Sequence, residues 1–288
     1  MSIWKRLFDR RRRRQKAAPV RKARISREYK RVDPLQIGQG TDIGKARQAN
    51  EDTFLTLKSL IGAESEPLPV GLLIVADGMG GHVKGKEASS LATRVAGGVI
   101  VRDVLLPVLT GQASRVPNRP IHEILTEAAM SANQAVSEME SNAGTTLTSV
   151  LVLGHSAYVA HVGDTRVYYL DDNGLQQITQ DHSLVNRLVE LGQISVQEAH
   201  EHPQRNFLYR AVGQEHELKV DTYFQRLKAG SHLILCSDGL WNPVPEEEMA
   251  DVVRNSSSPQ EACNRLIDRA NERGGEDNIT LLLARVDH

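Results

Sequence analysis

The chain has 288 residues, 40% of them hydrophobic and 25% charged, which is typical of a globular protein rather than a disordered or fibrous one. Aromatic residues make up only 4%, so we expect no base-stacking nucleic-acid module, and no apolar run approaches the roughly 20 residues of a membrane span. The start lacks a secretory signal and the two cysteines cannot build a disulfide framework, so we expect a cytoplasmic protein.

The first segment of the chain, residues 1–31, carries a large positive charge. It holds 14 Lys and Arg against two acids, a charge of +12, so the total of -1 leaves -13 for residues 32–288. We predict a disordered basic tail over 1–31 and one folded domain over 32–288. Three roles for the tail stay open: solubilisation, contact with nucleic acid or the ribosome, and peripheral contact with an anionic membrane, which the apolar residues of "SIWKRLF" favour.

The run "LLIVADGMGGHVKGK" (72–86) places an acid, Asp77, between an apolar strand and a glycine-rich bend. Residues 80–86 fit the G-x-x-x-x-G-K pattern of a nucleotide-binding loop. That loop needs Ser or Thr after the lysine to bind magnesium, and this chain has Glu87 there. Asp77 would also face the incoming phosphates. We therefore disfavour a nucleotide-binding loop, which leaves Asp77 as the candidate functional residue of this segment.

Later segments alternate helical patterns with closely spaced strands. Helices are predicted over 86–105, 121–140 and 258–275, the last with Ser258 as N-cap and Pro259 at its first position. Four runs between 148 and 181 are separated only by turn residues, which predicts an antiparallel meander. Further strands are predicted over 218–224, 231–237 and 278–286. Long helices with antiparallel strands predict an α+β fold that layers helix on sheet.

Three acids lie at strand ends: Asp77 after "LLIVA", Asp238 after "LILCS" and Asp277 before "NITLLL". The end of one antiparallel strand lies beside the start of its neighbour, so we expect these acids to meet at one edge of a sheet. Asp164, in the turn after "AYVAHVG", and the acids of "RQANED" (47–52) are candidates to join them. So many carboxylates need cations, and oxygen ligands select hard ions such as Mg2+ or Mn2+.

A second pattern, C-x5-R at Cys263 and Arg269, is typical of phosphatases that use a thiolate nucleophile. Such enzymes need a glycine-rich loop between the two residues and a thiol of lowered pKa. Here the residues between them contain no glycine and continue the capped helix, so we predict that Cys263 is an ordinary helix residue.

Seven motifs in order resemble the metal-dependent, type-2C protein phosphatases in their bacterial form, over about residues 36–286. They are "RQANED" (47–52), "VADGMGGH" (75–82), "GTTLTSVLV" (144–152), "HVGDTRVY" (161–168), "TQDHSLV" (179–185), "LCSDGLW" (235–241) and "GGEDNIT" (274–280). The resemblance implies an α+β fold with a central antiparallel β-sandwich flanked by helices on both faces, a four-layer αββα arrangement with metal ions at one end.

The resemblance also implies a role for each site residue, with Arg47, Asp77 and Asp238 as the catalytic set. Asp77 would bridge two Mn2+ or Mg2+ ions, the Gly78 carbonyl would bind one of them, and Asp238 and Asp277 would complete the second site. The glycines at 78, 80 and 81 would let the chain turn sharply beneath the ions. Glu51 and Asp52 would act close by through metal-bound waters, Asp164 would help Asp238 to hold a third ion, and Arg47 would hold the substrate phosphate.

The implied reaction is attack of a water, held between the two ions, on phosphoserine or phosphothreonine. The implied substrates are phosphoproteins, among them bacterial Ser/Thr kinases, and we expect a monomer. A small-molecule phosphohydrolase on the same fold stays open, whereas a non-catalytic scaffold is disfavoured because the metal acids are present. Residues 183–203 are predicted to form a flap beside the site that selects substrates.

One departure from the family concerns the proton donor for the leaving oxygen. Many eukaryotic relatives have a histidine directly after the "DG", and this chain has Met79 there, as bacterial members commonly do. His82, His182 and a metal-bound water are the alternatives for this role.

Overall fold

The computed structural model describes residues 33–61, 67–81, 83–110, 119–139, 143–214 and 217–287. These belong to one compact unit, Asp33–His288. The predicted tail (1–31) and His82 lie outside the described residues. Within the described ranges, no helix combines the length and apolar character that crossing a membrane requires.

Twelve strands and eight α-helices are described in this part of the chain. In order they are β1 (Leu35–Asp42), β2 (Thr53–Ile61), β3 (Leu68–Ala76), β4 (Gly78–Met79), α1 (Val83–Ile100), α2 (Leu106–Leu109), α3 (Ile121–Ser137), β5 (Gly144–Thr145), β6 (Leu147–Leu153), β7 (Ser156–Val162), β8 (Arg166–Asp171), β9 (Gly174–Gln177), α4 (Leu184–Glu190), α5 (Val196–Glu201), β10 (Asp221–Arg226), β11 (His232–Cys236), α6 (Asp238–Trp241), α7 (Glu246–Arg254), α8 (Pro259–Glu272) and β12 (Ile279–Val286).

Ten of these strands form two five-stranded antiparallel sheets. Sheet 1 has the order β1-β12-β11-β8-β9 and sheet 2 the order β10-β7-β6-β3-β2. Helices α7 and α8 pack on the outer face of sheet 1, and α1 and α3 pack on the outer face of sheet 2. A third apolar core fills the space between the sheets. The predicted four-layer αββα fold is confirmed.

The apolar run that ends at Asp77 is explained by burial of β3 on both faces. Leu72 and Ile74 pack toward the helices on sheet 2, whereas Leu73 and Val75 point into the core between the sheets. Because side chains alternate along a strand, a strand covered on both faces must be apolar at every position. Packing on both faces therefore fixes the position of β3. Asp77 directly follows its last residue, Ala76, and so has a defined position at one end of the sandwich.

The prediction of one meander over 148–181 is wrong. β6 and β7 form a hairpin in sheet 2, and β8 and β9 form a hairpin in sheet 1. The chain crosses between the sheets in three residues, 163–165, starting at Gly163 with a φ of 111°. A residue with a side chain rarely adopts that conformation, so glycine makes the crossing feasible. Asp164 lies in the middle of it.

Helix boundaries differ from the predictions by a few residues. α1 begins at Val83, three residues before the predicted start, and continues through a π-helical turn, Val101–Leu105, into α2. At α8 the side chain of Ser258 accepts a hydrogen bond from the Glu261 N–H, which makes it the predicted N-cap.

The segment predicted to act as a flap contains two short helices, α4 and α5. α4 starts at its N-cap Ser183, and the chain turns at Gly192, which has a φ of 66°. α5 was not predicted, because its sequence is polar. It starts with a capping box in which Ser195 and Glu198 bond each other's backbone N–H groups.

Candidate active site

The predicted site residues all lie in loops or at strand ends. Arg47, Glu51 and Asp52 lie between β1 and β2, Asp77 and Gly78 follow β3, Asp164 lies between β7 and β8, Asp238 is the first residue of α6, and Asp277 precedes β12. Asp77 interacts electrostatically with four of the other acids: Asp52, Asp164, Asp238 and Asp277. The fold therefore brings these five acids together at one end of the sandwich.

The expectation that the acids share one sheet edge is wrong in one respect. β11 and β12, which flank Asp238 and Asp277, are neighbours in sheet 1, as expected. β3 belongs to sheet 2, so Asp77 reaches them from the opposite sheet. The acids meet between the two sheets rather than along one edge, because β3 is already paired on both sides, with β2 and with β6.

Asp77 is held through its backbone. Its N–H donates to Thr146 Oγ1 at 2.8 Å, and its carbonyl accepts from the Thr146 N–H at 2.9 Å and from Thr145 Oγ1 at 2.8 Å. Thr146 Oγ1 in turn bonds Thr165 Oγ1 at 2.7 Å. These bonds leave the Asp77 side chain as the part that faces the other acids.

The glycines around Asp77 serve two different purposes. Gly80 and Gly81 have φ angles of 118° and 86° and turn the chain, as predicted. Gly78 does not turn the chain; it pairs with Thr145 in the short β4–β5 ladder. A side chain at Gly78 would overlap the Gly85 carbonyl, so its role is to allow a close approach of the backbone.

Glu51 and Asp52 are buried and anchored from sheet 1. Asp52 Oδ2 accepts from Ser237 Oγ at 2.8 Å. The Glu51 N–H donates to Asn278 Oδ1 at 2.8 Å, while Asn278 Nδ2 donates to the carbonyls of Ile43 and Ala49 at 2.9 and 3.0 Å. Asn278 thus fixes the loop that carries Glu51 and Asp52.

Asn278, Ser237 and Thr146 position the site and were not assigned a role from the sequence. Each stands next to a motif acid or within a quoted motif, "EDN", "SDG" or "GTT". Proximity to an acid for Asn278 and Ser237, and membership of a motif for Thr146, were the only signals, since buried asparagine, serine and threonine usually serve ordinary backbone hydrogen bonding.

The turn that carries Asp164 is supported by the stacked side chains of Trp241 and Arg166. Trp241 Nε1 donates to the Asp164 carbonyl at 3.1 Å, and the Arg166 guanidinium stacks 3.5 Å above the Trp241 ring. Arg166 also pairs with Asp181, donating to both of its carboxylate oxygens at 2.8 to 3.1 Å. Asp164 is therefore held rigidly by its backbone while its carboxylate stays near Asp238.

A cavity of about 100 Å³ lies beside Asp164 and Asp238. Its other walls come from Arg166 and Trp241 below and from residues of α4 and α5 above, with Arg205 and Asn206 at its side. The segment predicted to form a flap therefore borders this end of the acid cluster.

Burial and crowding raise the pKa values of the cluster. Burial is the largest cause in each case, and neighbouring carboxylates add to it: the pKa of Asp52 rises to about 7 and that of Asp238 to about 6, and those of Asp77 and Asp164 lie well above the usual value. Two buried oxygens, Asp52 Oδ1 and Asp238 Oδ1, have no hydrogen-bond partner. A cation would relieve both the repulsion and the missing partners, so the donor set fits hard metal ions.

Arg47 takes the place of a cation at one of the acids. Its Nη2 donates to Asp277 Oδ2 at 2.6 Å, and Asp277 Oδ1 accepts from the Asn278 N–H at 2.8 Å. Across the described ranges, no three acidic, histidine or cysteine side chains converge as ligands around one point. Asp277 keeps a further lone pair on each oxygen, so it can hold Arg47 and a metal ion at the same time.

The histidine and cysteine candidates contribute no obvious reactive group. The His182 ring is buried, with Gly163 N–H at one nitrogen and Asp221 and Arg210 at the other. Cys236 and Cys263 are both buried, and burial raises the pKa of Cys263 to about 12, so neither thiol is activated.

Comparison with known proteins gives one consistent result. The sequence profile of the protein phosphatase 2C family matches residues 46–274. The chain is 39% identical over 245 residues to the serine/threonine phosphatase stp of Listeria welshimeri, which covers 84% of this chain and 92% of that protein.

Solved structures agree. The crystal structure of the Mycobacterium tuberculosis serine/threonine phosphatase PstP/Ppp superimposes with a TM-score of 0.73 at 33% identity, covering 88% of this chain and 99% of that one. A structure of the PstP catalytic domain in complex with two manganese ions superimposes with a TM-score of 0.71 at 32% identity, over 88% and 99% of the two chains.

Proposed function

The chain belongs to the protein phosphatase 2C family, and from this premise we propose that it hydrolyses phosphoserine and phosphothreonine in proteins with the help of two Mn2+ or Mg2+ ions. The observation that carries the proposal is the cluster of five buried or half-buried acids at one end of the sandwich, with two carboxylate oxygens that lack a partner. Its relatives are named as serine/threonine phosphatases, and one of them holds two manganese ions.

The same cluster suggests which residues would hold the ions. Asp77 is central and would be shared between two ions, with the Gly78 carbonyl, Asp238 and Asp277 as further ligands. Glu51 and Asp52 act close by, and Asp164 with Asp238 would hold a third ion. Bound there, the ions would supply an activated water and neutralise charge on the phosphoryl oxygens.

Arg47 is proposed to bind the substrate phosphate. Its exposed guanidinium lies beside Asp277 and interacts electrostatically with Asp77 and Asp238 as well. Arginine binds phosphate through two parallel hydrogen bonds, which neutralise charge and fix orientation. The contact of Nη2 with Asp277 leaves further N–H groups of Arg47 for the phosphoryl oxygens and further lone pairs of Asp277 for a metal ion.

No covalent phosphoenzyme is part of this proposal. Both cysteines are buried with raised pKa values, so neither supplies a thiolate nucleophile. Residues 183–203 would select the protein substrate as a flap, since they border the cavity beside Asp164 and Asp238.

The rest of the proposal concerns the domains of the chain, its substrates and its oligomeric state. Residues 32–288 would form the catalytic domain, and the basic residues 1–31 a tail that contacts anionic membrane surfaces from the cytoplasm. Phosphoproteins are the substrates, with bacterial Ser/Thr kinases among them, and the enzyme would act as a monomer.

The direct test is phosphate release from a phosphothreonine peptide by the full chain with Mn2+, followed by addition of a chelator. We expect hydrolysis that requires the ion and stops in chelator. Full activity in chelator would contradict the proposed metal-dependent reaction, and absence of hydrolysis with either Mn2+ or Mg2+ would contradict the phosphatase itself.

A further inference from the structure

Two histidines that the proposed reaction does not use are buried side by side near the Asp164 turn. The rings of His161 and His182 lie 4.8 Å apart between centroids. His161 Nδ1 bonds Thr148 Oγ1 at 2.9 Å and its Nε2 bonds the Gln180 carbonyl at 3.0 Å. A carbonyl can only accept, so His161 carries its proton on Nε2 and both of its nitrogens are satisfied. It serves as a fixed support for His182.

His182 holds Gly163, the residue before Asp164, at both of its polar groups. The Gly163 N–H donates to the ring nitrogen Nδ1 of His182 at 3.0 Å, and the backbone N–H of His182 donates to the Gly163 carbonyl at 2.7 Å. Gly163 has a φ of 111°, and a side chain at this position would overlap Thr146, so only glycine fits here. The backbone of the turn that carries Asp164 is therefore held by His182 at Gly163 and by Trp241 at the Asp164 carbonyl.

The other nitrogen of His182 faces an ion pair. Because Nδ1 accepts from Gly163, the neutral ring carries its proton on Nε2, which donates to Asp221 Oδ2 at 3.2 Å. Arg210 Nη1 donates to Asp221 Oδ1 at 3.0 Å. Arg210 Nη1 also lies 2.8 Å from His182 Nε2, but two donors cannot bond each other, so Asp221 is the acceptor for both. Burial, and then Arg210, lower the pKa of His182, which agrees with a neutral ring.

His182 and Arg210 stand at the two ends of one segment, residues 183–208, which we call the cover segment. The chain leaves and returns at the same point: the Leu184 N–H donates to the Phe207 carbonyl at 2.9 Å, and the Tyr209 N–H donates to the His182 carbonyl at 3.0 Å. The cover segment includes α4 and α5, which border the cavity beside Asp164 and Asp238. Asp221, on β10, ties its two ends together.

We propose that His182 is a positioning residue that couples the cover segment to Asp164, holding the acid's turn through Nδ1 and the base of the segment through Nε2. Contact of a phosphoprotein with the cover segment is thereby coupled, through His182, to the position of Asp164. The functional part of this inference rests on the proposed phosphatase activity; the hydrogen bonds themselves do not.

Two substitutions of His182 distinguish the role of Nδ1 from the role of Nε2. The side-chain oxygen of His182→Asn can occupy the position of Nδ1 and accept from Gly163, but it is too short to reach Asp221. His182→Gln places its amide at the position of Nε2 and has no acceptor for Gly163. Asp221→Asn removes the ion pair with Arg210 and leaves the His182 ring in place. The matched control is Asp171→Asn, because Asp171 is also an ion-paired carboxylate, with Lys228, and lies at the C-terminal end of β8.

The first measurement is residue-resolved amide exchange of Gly163 in the full chain with Mg2+. We expect exchange to be roughly tenfold faster in His182→Gln and close to wild type in His182→Asn and Asp171→Asn, because one hydrogen bond is lost only in the first. Unchanged exchange in His182→Gln would overturn the proposal. This readout does not need catalysis, so it stands even if the wild type releases no phosphate.

The second measurement compares a phosphothreonine peptide with a small aryl phosphate in the presence of Mn2+. We expect His182→Gln to lower kcat about tenfold on both substrates, and His182→Asn and Asp221→Asn to act mainly by raising KM for the peptide. Equal losses of kcat in both His182 variants would indicate packing alone and overturn the proposal. If neither His182 variant keeps a cooperative thermal transition, Asp221→Asn decides: unchanged peptide KM contradicts the coupling.

Discussion

The guanidinium of Arg47 donates to the carboxylate of Asp277 across 2.6 Å, and this pair joins the loop after β1 to the loop before β12. Both residues are predicted to act in the reaction, one on phosphate and the other on metal. Arg47 keeps N–H groups for phosphate and Asp277 keeps lone pairs for a metal ion, so the pair places the phosphate-binding and the metal-binding residue side by side.

Arg47→Ala should raise KM for a phosphopeptide by about tenfold or more and lower kcat less, because arginine binds phosphate in the ground state as well as in the transition state. Mn2+ affinity should be kept or strengthened, since Asp277 is released. Steady-state kinetics and calorimetric Mn2+ titration measure both. Arg102→Ala, which also removes an exposed arginine paired to an aspartate, is the control. Collapse of Mn2+ binding would make Arg47 structural.

Asp164→Ala should remove one metal site and spare the others. Asp164 lies in the crossing between the sheets, apart from the loops that carry Asp238 and Asp277, so two tightly bound Mn2+ ions are expected to remain while kcat falls. Mn2+ stoichiometry by equilibrium dialysis, together with kcat, gives the answer. If the wild type binds three ions and the variant also binds three, Asp164 is not a ligand.

Stability in chelator should depend on pH through the acid cluster. Asp238 has a pKa of about 6 when folded, against a usual value near 4, so the folded protein binds the extra proton and stability falls as pH rises between these values. Asp238→Asn should therefore gain stability relative to the wild type, by roughly 1–3 kcal/mol, from about pH 4.5 to about pH 7.5.

Urea unfolding of both proteins across this range measures the difference and cancels the contribution of the histidines. In the control Asp171→Asn, the hydrogen bond from Lys228 lowers the pKa of Asp171, so its difference from the wild type should stay flat there. A flat difference for Asp238→Asn as well would mean that the cluster carries no excess charge at neutral pH.

Residues 1–31 should bind anionic vesicles and be dispensable for catalysis. They carry a charge of +12, and each basic residue near an anionic surface contributes about 1 kcal/mol. Sedimentation with phosphatidylserine vesicles at low salt compares the full chain with a chain that begins at Val32. If both stay in the supernatant, the tail has another role; if the shortened chain loses peptide hydrolysis, the domain boundary is wrong.

The sequence predicted the layers and the acids better than the connections between them. Strands buried on both faces, such as β3, are recognisable as apolar runs, whereas β1 and β2 are half-exposed edge strands that mix polar and apolar residues and were not predicted. The crossing at Gly163 reads as an ordinary turn, because a hairpin and a change of sheet use the same residue types.

Within the site, the acids could be recognised and their supports could not. Asp77 lies in the expected cluster, although β3 belongs to sheet 2 and not to the sheet of β11 and β12. Asn278 and His182 act through hydrogen bonds to loops far away in sequence, such as Glu51 and Gly163. Those partners are set by tertiary packing, which no local pattern encodes.

Phosphate release from a phosphothreonine peptide should be compared between Asp77→Asn and Asp171→Asn, with Mn2+ binding measured on the same samples. Asp77 interacts with four other acids of the cluster, whereas Asp171 is paired to Lys228 on the surface. We predict that Asp77→Asn loses at least about a thousandfold in kcat and binds fewer Mn2+ ions, because transition-state charge loses its main stabilisation. Asp171→Asn should match the wild type. Wild-type turnover by Asp77→Asn would contradict the account.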